Sequence, residues 1–493
     1  MNLEQVPEQI TYNEVLSNAY SLSPIMYKKI YIKNKNLKTL RAILVEGNEY
    51  VKGNEPGSQW YLKSSDTYLI RTKALQDFSY LTYPKGEAII PINPRRYKGT
   101  KLKRGDILIS KDSNIGEAVI VAGDECDNCD FSSGIIKLNI KEEYNPFYVF
   151  ACLKHSAFKE QLIASCPKGA TIKHAGERWM DCYIVFPNQR DKEFVISYIS
   201  DAVQIVMDME KEIIKKSRRI LEIITNELRM NQSSREKIYD YPRYDKVKKE
   251  KRLDAAIYCE EYENKIGLIE GYRRGYYTPD EDGFVIIPGP SLEIKLLKTR
   301  IDLNTYMPGF YQLLLPTNLS EFGTINKVQY LGTKKKLPLL MKGDILFGEA
   351  GFQKGRSVVL IDEIENCTTN AHGLYARRKV QDLRKSIYFR CIFDWYRNMG
   401  LIDLMAVGGS GGHFSPEYFE YIRIPDFPDK IVDEIVSQYS IENCIEFGVN
   451  IKKLKCTNLD ECGIFQLNKE VKILKKHIEA LLDKIINNEE VAV

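Results

Sequence analysis

The stretch Ile196–Leu228, ISYISDAVQIVMDMEKEIIKKSRRILEIITNEL, contains neither Gly nor Pro and repeats apolar residues with a period of seven. One row runs Ile196, Val203, Glu210, Ser217 and Ile224, and its companion runs Ile199, Val206, Ile213 and Ile220. Residues three and four apart share a helix face, so the two rows form a coiled-coil seam. A third row, Met207, Ile214, Leu221 and Leu228, makes the apolar stripe wider than one partner helix needs, and the helix is expected to pack on several neighbours. Glu210 and Ser217 interrupt the seam and are expected to set register or to meet a partner.

A second seam lies near the end of the chain, at Leu467, Val471, Leu474, Ile478, Leu481 and Ile485. Ahead of each helix the chain repeats itself. Lys103–Ile109, KRGDILI, recurs as Met341–Phe347, MKGDILF, an offset of 238 residues (106 to 344). Each copy is a turn feeding a strand, and a β-branched run follows: Val119–Val121 before Asp124-Glu125, and Val358–Ile361 before Asp362-Glu363. Small residues come next, Ser132-Ser133-Gly134 and Thr369–Gly373, each predicted to precede a helical segment. The loops Lys168-Gly169-Ala170-Thr171 and Gly408–Gly412 follow, and each half closes on a strand running into Phe-Pro, at Ile184–Pro187 and Ile422–Pro428, offset 241 (187 to 428).

This order predicts an α+β fold: two mixed α/β domains separated by two long antiparallel coiled-coil helices, with a pseudo-two-fold internal repeat. The expected boundaries are 1–187 and 233–428 for the globules, 188–232 for the central helix, and 429–493 for a second helical region interrupted near 448–463. Asn231–Lys251, rich in Ser, Lys and Tyr, is the expected linker into the second globule.

A chain of 493 residues is too long for one core. Its composition is globular, 44% hydrophobic and 28% charged with mean hydropathy −0.33. There is no long apolar run and no basic, apolar leader at MNLEQVPEQITYNEV, so a soluble, cytoplasmic protein without membrane association is expected. The 11 cysteines are odd in number and scattered, as a reducing compartment permits. Cys126 and Cys129 form half of a zinc spacing, but no second pair completes it, and no metal is expected.

Catalytic signatures are missing. There is no Asn/Asp-Pro-Pro-aromatic loop of an adenine methyltransferase, no Gly-x-Gly-x-x-Gly and no phosphate loop. Val358–Glu363 imitates the metal-binding strand of an ATPase, yet Val119–Glu125 repeats it in the other half, as a structural strand would. In Gly408–Gly412 the phosphate-loop Lys and Ser/Thr are replaced by Phe414-Ser415-Pro416. The five histidines, His155, His174, His372, His413 and His477, form no ligand pattern, and no nuclease set of carboxylates with lysine is found.

Taken together, the duplicated Gly-Asp-Ile-Leu turn, the Gly169-Ala170-Thr171 loop, the closing strands into proline and the alternation of globule and helix resemble the specificity (S) subunit of type I restriction-modification systems over essentially the whole chain. Arg252-Leu253-Asp254-Ala255 also resembles the opening of a target-recognition domain; the first half has no matching tetrad between Tyr12 and Tyr27. The resemblance implies a non-catalytic, DNA-binding subunit of a phage-defence complex. Each globule would be a target-recognition domain reading part of a bipartite site on double-stranded DNA. The helices would carry two modification (methyltransferase) subunits, which would bind S-adenosylmethionine in place of this chain, and restriction subunits would join that core.

Net charge is only +4, with 71 basic against 67 acidic residues, so the distribution of charge has to locate any DNA contact. Basic residues beside aromatics suit phosphate and base contact. The candidates are Arg95, Arg96 and Lys98 in the first half, Lys168 and Lys173 beside the Gly-Ala-Thr loop, and Arg273, Arg274, Lys334, Lys335 and Lys336 in the second. Ile199, Val206, Ile213, Ile220, Leu474, Ile478 and Leu481 are the candidate seam and partner-binding residues. The helix Ile196–Leu228 would act as a ruler of about 48 Å, at about 1.5 Å per residue, or on the order of fourteen base pairs at about 3.4 Å each. Two other readings stay open: an S-like recognition subunit of another multisubunit modification or defence system, and a scaffold whose globules bind protein.

Overall fold

A computed structural model of the chain describes residues 4–17, 20, 22, 24–27, 29–82, 88–112, 114–123, 126–165, 177–233, 239–351, 354–408, 412–441 and 448–493. The chain divides into two compact units: Met1–Glu212 with Ile445–Leu459 and Leu467–Val493, and Ile213–Cys444 with Asp460–Gln466. The first unit contains, in order, β1 (Leu37–Thr39), β2 (Tyr50–Lys52), β3 (Tyr68–Ile70), β4 (Ile89–Pro91), β5 (Ile107–Ser110), β6 (Ala118–Ile120), β7 (Cys129–Phe131), β8 (Ile135–Leu138), α1 (Pro146–Lys154), α2 (Ser156–Ser165) and β9 (Tyr183–Val185). They build an antiparallel sheet of order β2-β8-β5-β6, a sheet β4-β3-β7 in which β3 and β7 run parallel, and the pair β9-β1. The α-helix α3 (Lys192–Met230) follows.

The second unit repeats this plan with α4 (Glu260–Glu270), β10 (Tyr276–Tyr277), β11 (Phe284–Pro288), β12 (Ile301–Leu303), β13 (Tyr311–Leu313), β14 (Gln329–Gly332), β15 (Ile345–Gly348), β16 (Ser357–Val359), β17 (Cys367–Thr368), β18 (Gly373–Arg378), α5 (Leu383–Asn398), β19 (Ile424–Pro425) and α6 (Asp429–Tyr439). Its sheets have the orders β11-β18-β15-β16, β12-β14-β13-β17 and β10-β19, with β13 and β17 parallel. These three sheets match those of the first unit strand for strand, with β12 added at one edge; the first unit has in addition an antiparallel pair, Glu4–Gln5 with Lys29–Ile30. The last helix, α7 (Ile464–Ile486), closes the chain.

The repeated Gly-Asp turn shows why both halves keep it. Gly105 and Gly343 have φ of 91° and 86°, a conformation that side chains disfavour. The next residue, Asp106 or Asp344, is buried, and its carboxylate accepts the backbone N–H three residues earlier, Lys103 at 3.0 Å and Met341 at 2.8 Å. The same carboxylate meets a cation on the adjacent central strand: Lys137 on β8 at 3.5 Å, Arg377 on β18 at 2.6 Å. The hydrogen bond to Asp344 raises the Arg377 pKa above its already high ordinary value, so the guanidinium stays charged. The motif is a brace between turn and sheet.

The expected long helix forms and extends the predicted span at both ends. Within the first unit Val195, Ile199, Ala202, Val203, Val206, Met207 and Met209 are fully buried, each large side chain contributing roughly 1.5–3 kcal/mol. In the same unit α3 lies antiparallel to α7: Asn188, just before α3, bonds Asn488, just after α7, and Tyr198 bonds His477. The six predicted seam positions of α7, Leu467 to Ile485, are all buried. Glu210 is bonded within the unit. Its carboxylate accepts from Ser79 Oγ at 3.1 Å and from the backbone N–H groups of Tyr80 at 2.9 Å and Leu81 at 3.0 Å, and pairs with Lys475 on α7.

Two expectations are corrected. Ser132–Gly134 and Thr369–Gly373 lead into the strands β8 and β18, and the helices come later; Ile135-Ile136-Lys137-Leu138 is a β-branched run at the middle of a sheet, where burial on both faces outweighs any helical preference. The second helical region is two separate helices, α6 in the second unit and α7 lying mostly in the first. Between them stand a short helix at Ile451–Lys455 and a 3-10 turn at Leu459–Glu461. In the first unit the chain bends back far enough for the Gly448 N–H to bond the buried Glu470 carboxylate at 3.1 Å.

The two braces can be tested by stability. Glu210→Gln removes the charge facing Lys475 and sets an amide NH2 against either the Lys475 ammonium or the backbone donors; a loss of about 3 kcal/mol is expected in urea unfolding. Asp344→Asn breaks a charge-assisted pair and should lower stability by about 2 kcal/mol, whereas Asp362→Asn, at an exposed position, should leave the midpoint unchanged.

Candidate nucleic-acid interface

In the first unit β4 continues through Ile92, bridged to Tyr61, into a 3-10 turn at Pro94–Arg96. Asn93 caps the turn: its Oδ1 accepts from the Arg95 N–H at 3.0 Å, while its own N–H donates to the Trp60 carbonyl at 3.0 Å. Beyond the turn the buried Asp130 on β7 accepts from the backbone N–H groups of Lys98 at 2.6 Å and Thr100 at 3.1 Å. The backbone is therefore anchored at both ends while Arg95, Arg96 and Lys98 project as exposed side chains. The Arg96 guanidinium lies 4.3 Å from the centre of the Trp60 ring, a cation–π contact. Burial raises the pKa of the Tyr97 phenol, and the Asp130 carboxylate adds to this, so a neutral hydroxyl stands between the cations.

In the second unit β14 runs into the turn Thr333–Lys336. The Lys334 N–H donates to Thr299 Oγ1 and the Lys335 N–H to Thr333 Oγ1, both at 3.2 Å. Tyr311 hydroxyl donates to the Lys335 carbonyl at 3.4 Å and accepts from the Leu337 N–H at 3.2 Å. Lys334, Lys335 and Lys336 are exposed. This turn stands at the place of the first unit's, though it is not a 3-10 turn and different groups hold it. Arg96 and Lys98 stand ten and eight residues before Asp106, as Lys334 and Lys336 stand before Asp344. Each turn leaves the strand that pairs antiparallel with β3 or its counterpart β13. The fold thus brings candidates from both halves to one equivalent position, a rigid basic turn per unit.

The other candidates lie elsewhere. Arg273 donates from Nε to the Gln232 carbonyl at 2.9 Å, and Arg274 from Nε to the Asp426 carbonyl at 2.8 Å, with its Nη2 3.3 Å from the Asp426 carboxylate. Both are exposed, but each ties loop to loop within the second unit. Lys168 and Lys173, with the Gly169–Thr171 loop and His174, fall outside the described residues. Arg252 of the Arg-Leu-Asp-Ala tetrad is a buried clasp: it pairs with Asp254 at 2.6 Å, donates to the Met405 carbonyl at 2.7 Å and lies over Tyr418 and Tyr421. The seam residues Ile199, Val206, Ile213, Ile220, Leu474, Ile478 and Leu481 are all buried by the chain itself. Along α3 in the second unit Lys215, Arg218, Arg219, Glu222, Asn226 and Arg229 are exposed, a polar stripe at helical spacing that ends at the exposed Met230. Trp60 and Asp130 escape a reading of the sequence because one is 36 residues from its partner Arg96 (60 to 96) and the other acts through backbone bonds.

Cys126 and Cys129 are buried among Ile70, Leu75, Val119 and Phe131, as apolar filling. Val358 and Leu360 likewise pack in an apolar cluster, and Asp362 beyond them is exposed. His155 faces Asp483 at 3.3 Å and His413 lies 3.8 Å from Glu349; burial lowers the His155 pKa. Among the described residues no group of His, Cys, Asp or Glu is placed to hold a metal ion, and no helix is long and apolar enough to cross a membrane.

No family model and no curated protein matches the chain. Among solved structures it is similar to the type I restriction-modification system S subunit from M. genitalium, at 11% identity and TM-score 0.38, over 93% of this chain and 96% of that one. It is also similar to the HsdS subunit from Thermoanaerobacter tengcongensis, at 12% identity and TM-score 0.29 over 93% and 99% of the two chains. A third likeness is to a chain from a structure described by the complex assembly and conformational transition of the type I R-M system, at 12% identity and TM-score 0.28, over 92% of this chain and 99% of that one.

Proposed function

We propose that the chain is the DNA-specificity subunit of a type I restriction-modification complex, non-catalytic itself, and that each unit docks one half of a bipartite duplex target. The observation that carries this reading is the duplicated basic turn, braced at both ends and presenting Arg95, Arg96 and Lys98 in one unit and Lys334–Lys336 in the other. A turn held by Asn93 and Asp130 lets cations meet phosphates with little loss of backbone freedom on binding. Phosphate contacts fix the position of each unit, and side chains next to the turn then reach base edges. Methyltransferase subunits, bearing S-adenosylmethionine, dock on the polar stripe of α3 at Arg218, Glu222 and Arg229, since the apolar seams are already buried within the chain. Restriction subunits complete the assembly.

Binding of the full-length chain to duplex DNA should weaken steeply with salt, and Arg95→Ala/Arg96→Ala/Lys98→Ala should reduce the log–log slope by about 0.9 for each phosphate that the variant no longer neutralises. The same triple change should weaken recognition of one half-site in methylation mapping and leave the other half-site's sequence intact. Affinity indifferent to salt would end the DNA reading. Separately, Arg218→Glu/Arg229→Glu should abolish co-purification with the methyltransferase encoded alongside while preserving DNA binding.

A further inference from the structure

Beside each basic turn runs a short edge segment, and the two units differ there. In the first, Trp60–Leu62 pairs with the end of β4 through the Tyr61–Ile92 bridge and the Leu62 N–H to the Pro91 carbonyl. In the second, β12 pairs with β14 in the matching register, Ile301 opposite Gly332 as Tyr61 is opposite Ile92, both at an offset of 240 (61 to 301, 92 to 332). The second unit spans 22 residues between β11 and β13, residues 289–310, where the first spans 15 between β2 and β3, residues 53–67.

The chemistry on these edges is unlike. In the first unit the Arg96 guanidinium carbon lies 4.3 Å from the centre of the Trp60 ring, and the side chain is exposed. A planar fork of fixed orientation matches the O6 and N7 acceptors of guanine, which lysine cannot do bidentately. In the second unit the nearby arginine is committed elsewhere: Arg300 Nε and Nη2 bond Asp302 at 2.8 and 3.2 Å, and Nη1 bonds the Leu292 carbonyl at 2.8 Å. What projects instead is apolar, with Ile301 55%, Tyr306 64% and Met307 45% exposed. Tyr306 is steadied edge-on against Tyr330 of β14 at 5.7 Å. Large apolar side chains exposed beside a row of lysines suit contact with the thymine 5-methyl group in the major groove.

Resting on the DNA-specificity reading above, we propose that Arg96, positioned by Trp60, reads a guanine in the half-site of the first unit, and that Ile301, Tyr306 and Met307 read thymine methyl groups in the half-site of the second.

The test selects bound sequences from a fully randomised duplex pool with the full-length chain and its variants. Arg96→Ala and Arg96→Lys should both erase one guanine from one half of the selected motif, with roughly a tenfold or greater loss on the wild-type sequence. Arg96→Lys should retain the salt slope, because its charge remains. Tyr306→Ala/Met307→Ala should erase a thymine from the other half, and deoxyuridine at that position should weaken the wild-type chain but not the variant. A motif that keeps its guanine in both Arg96 variants, or a wild-type chain indifferent to deoxyuridine throughout its thymine positions, overturns the proposal while leaving DNA specificity intact. A wild-type chain that enriches no motif overturns both.

Discussion

Glu210 places a carboxylate on a helix face that is otherwise apolar, and much of the first unit is arranged around satisfying it. A charge removed from water needs both a counter-ion and hydrogen-bond donors. Lys475 supplies the first, Ser79, Tyr80 and Leu81 supply the second, and Lys475 also donates to the Phe78 carbonyl at 2.6 Å. A shift of α3 by one turn would leave two half-buried charges unpaired. The network continues outward: the Tyr80 carbonyl accepts from the Ile120 N–H at 2.8 Å, joining helix, loop and the edge of the β2-β8-β5-β6 sheet. Burial drives the Tyr80 hydroxyl pKa far above its ordinary value, so that ring is a neutral wall beneath the ammonium of Lys475.

The Gly-Asp turn serves the same end in both units with different cations. Lysine on β8 reaches Asp106 at 3.5 Å, whereas arginine on β18 grips Asp344 through two nitrogens. The carboxylate's bond to the backbone N–H is common to both, which identifies it as the constant element and the cation as its replaceable support. That brace sets where β5 and β15 begin, and its aspartate stands eight residues after Lys98 and Lys336. Local turn chemistry therefore positions the strands that follow the basic turns.

Much of this was legible in the residues. Heptad rows disclosed α3 and α7 because period and burial agree along them, and the ordered repeats disclosed duplicated sheets because glycine at positive φ and a buried aspartate leave a sequence trace. The break between α6 and α7 was visible at Gly448 and Gly463, but its consequence was not, since partition of the two helices between units depends on bonds such as Gly448 to Glu470 and Lys216 to the Asp460 carbonyl. The strands at Ile135 and Gly373 resist sequence reading because short apolar runs fit either helix or strand until their neighbours are known. In the candidate interface, clusters of cations were easy to find and hard to rank. Arg273 and Lys334 look alike as sequence; only carbonyl partners separate a loop tie from a projecting charge.

A surface of this kind divides affinity from specificity. Lysines and arginines on a turn attract any duplex, because phosphates occur at every step. Discrimination needs groups whose orientation is fixed before binding, and fixing a long side chain requires something rigid beneath it. Trp60 supplies this for Arg96, and Tyr330 for Tyr306. Both supports belong to the sheet or its edge, while the cations belong to the turn. An exchange of edge residues can thus alter the exposed surface without disturbing Asn93, Asp130 or Tyr311, the groups that hold the turns in place. Divergence of the duplicated scaffold at Trp60–Leu62 and Ile301–Met307 is compatible with that separation: the bonds that fold the unit and the side chains proposed to face the bases are carried by different residues.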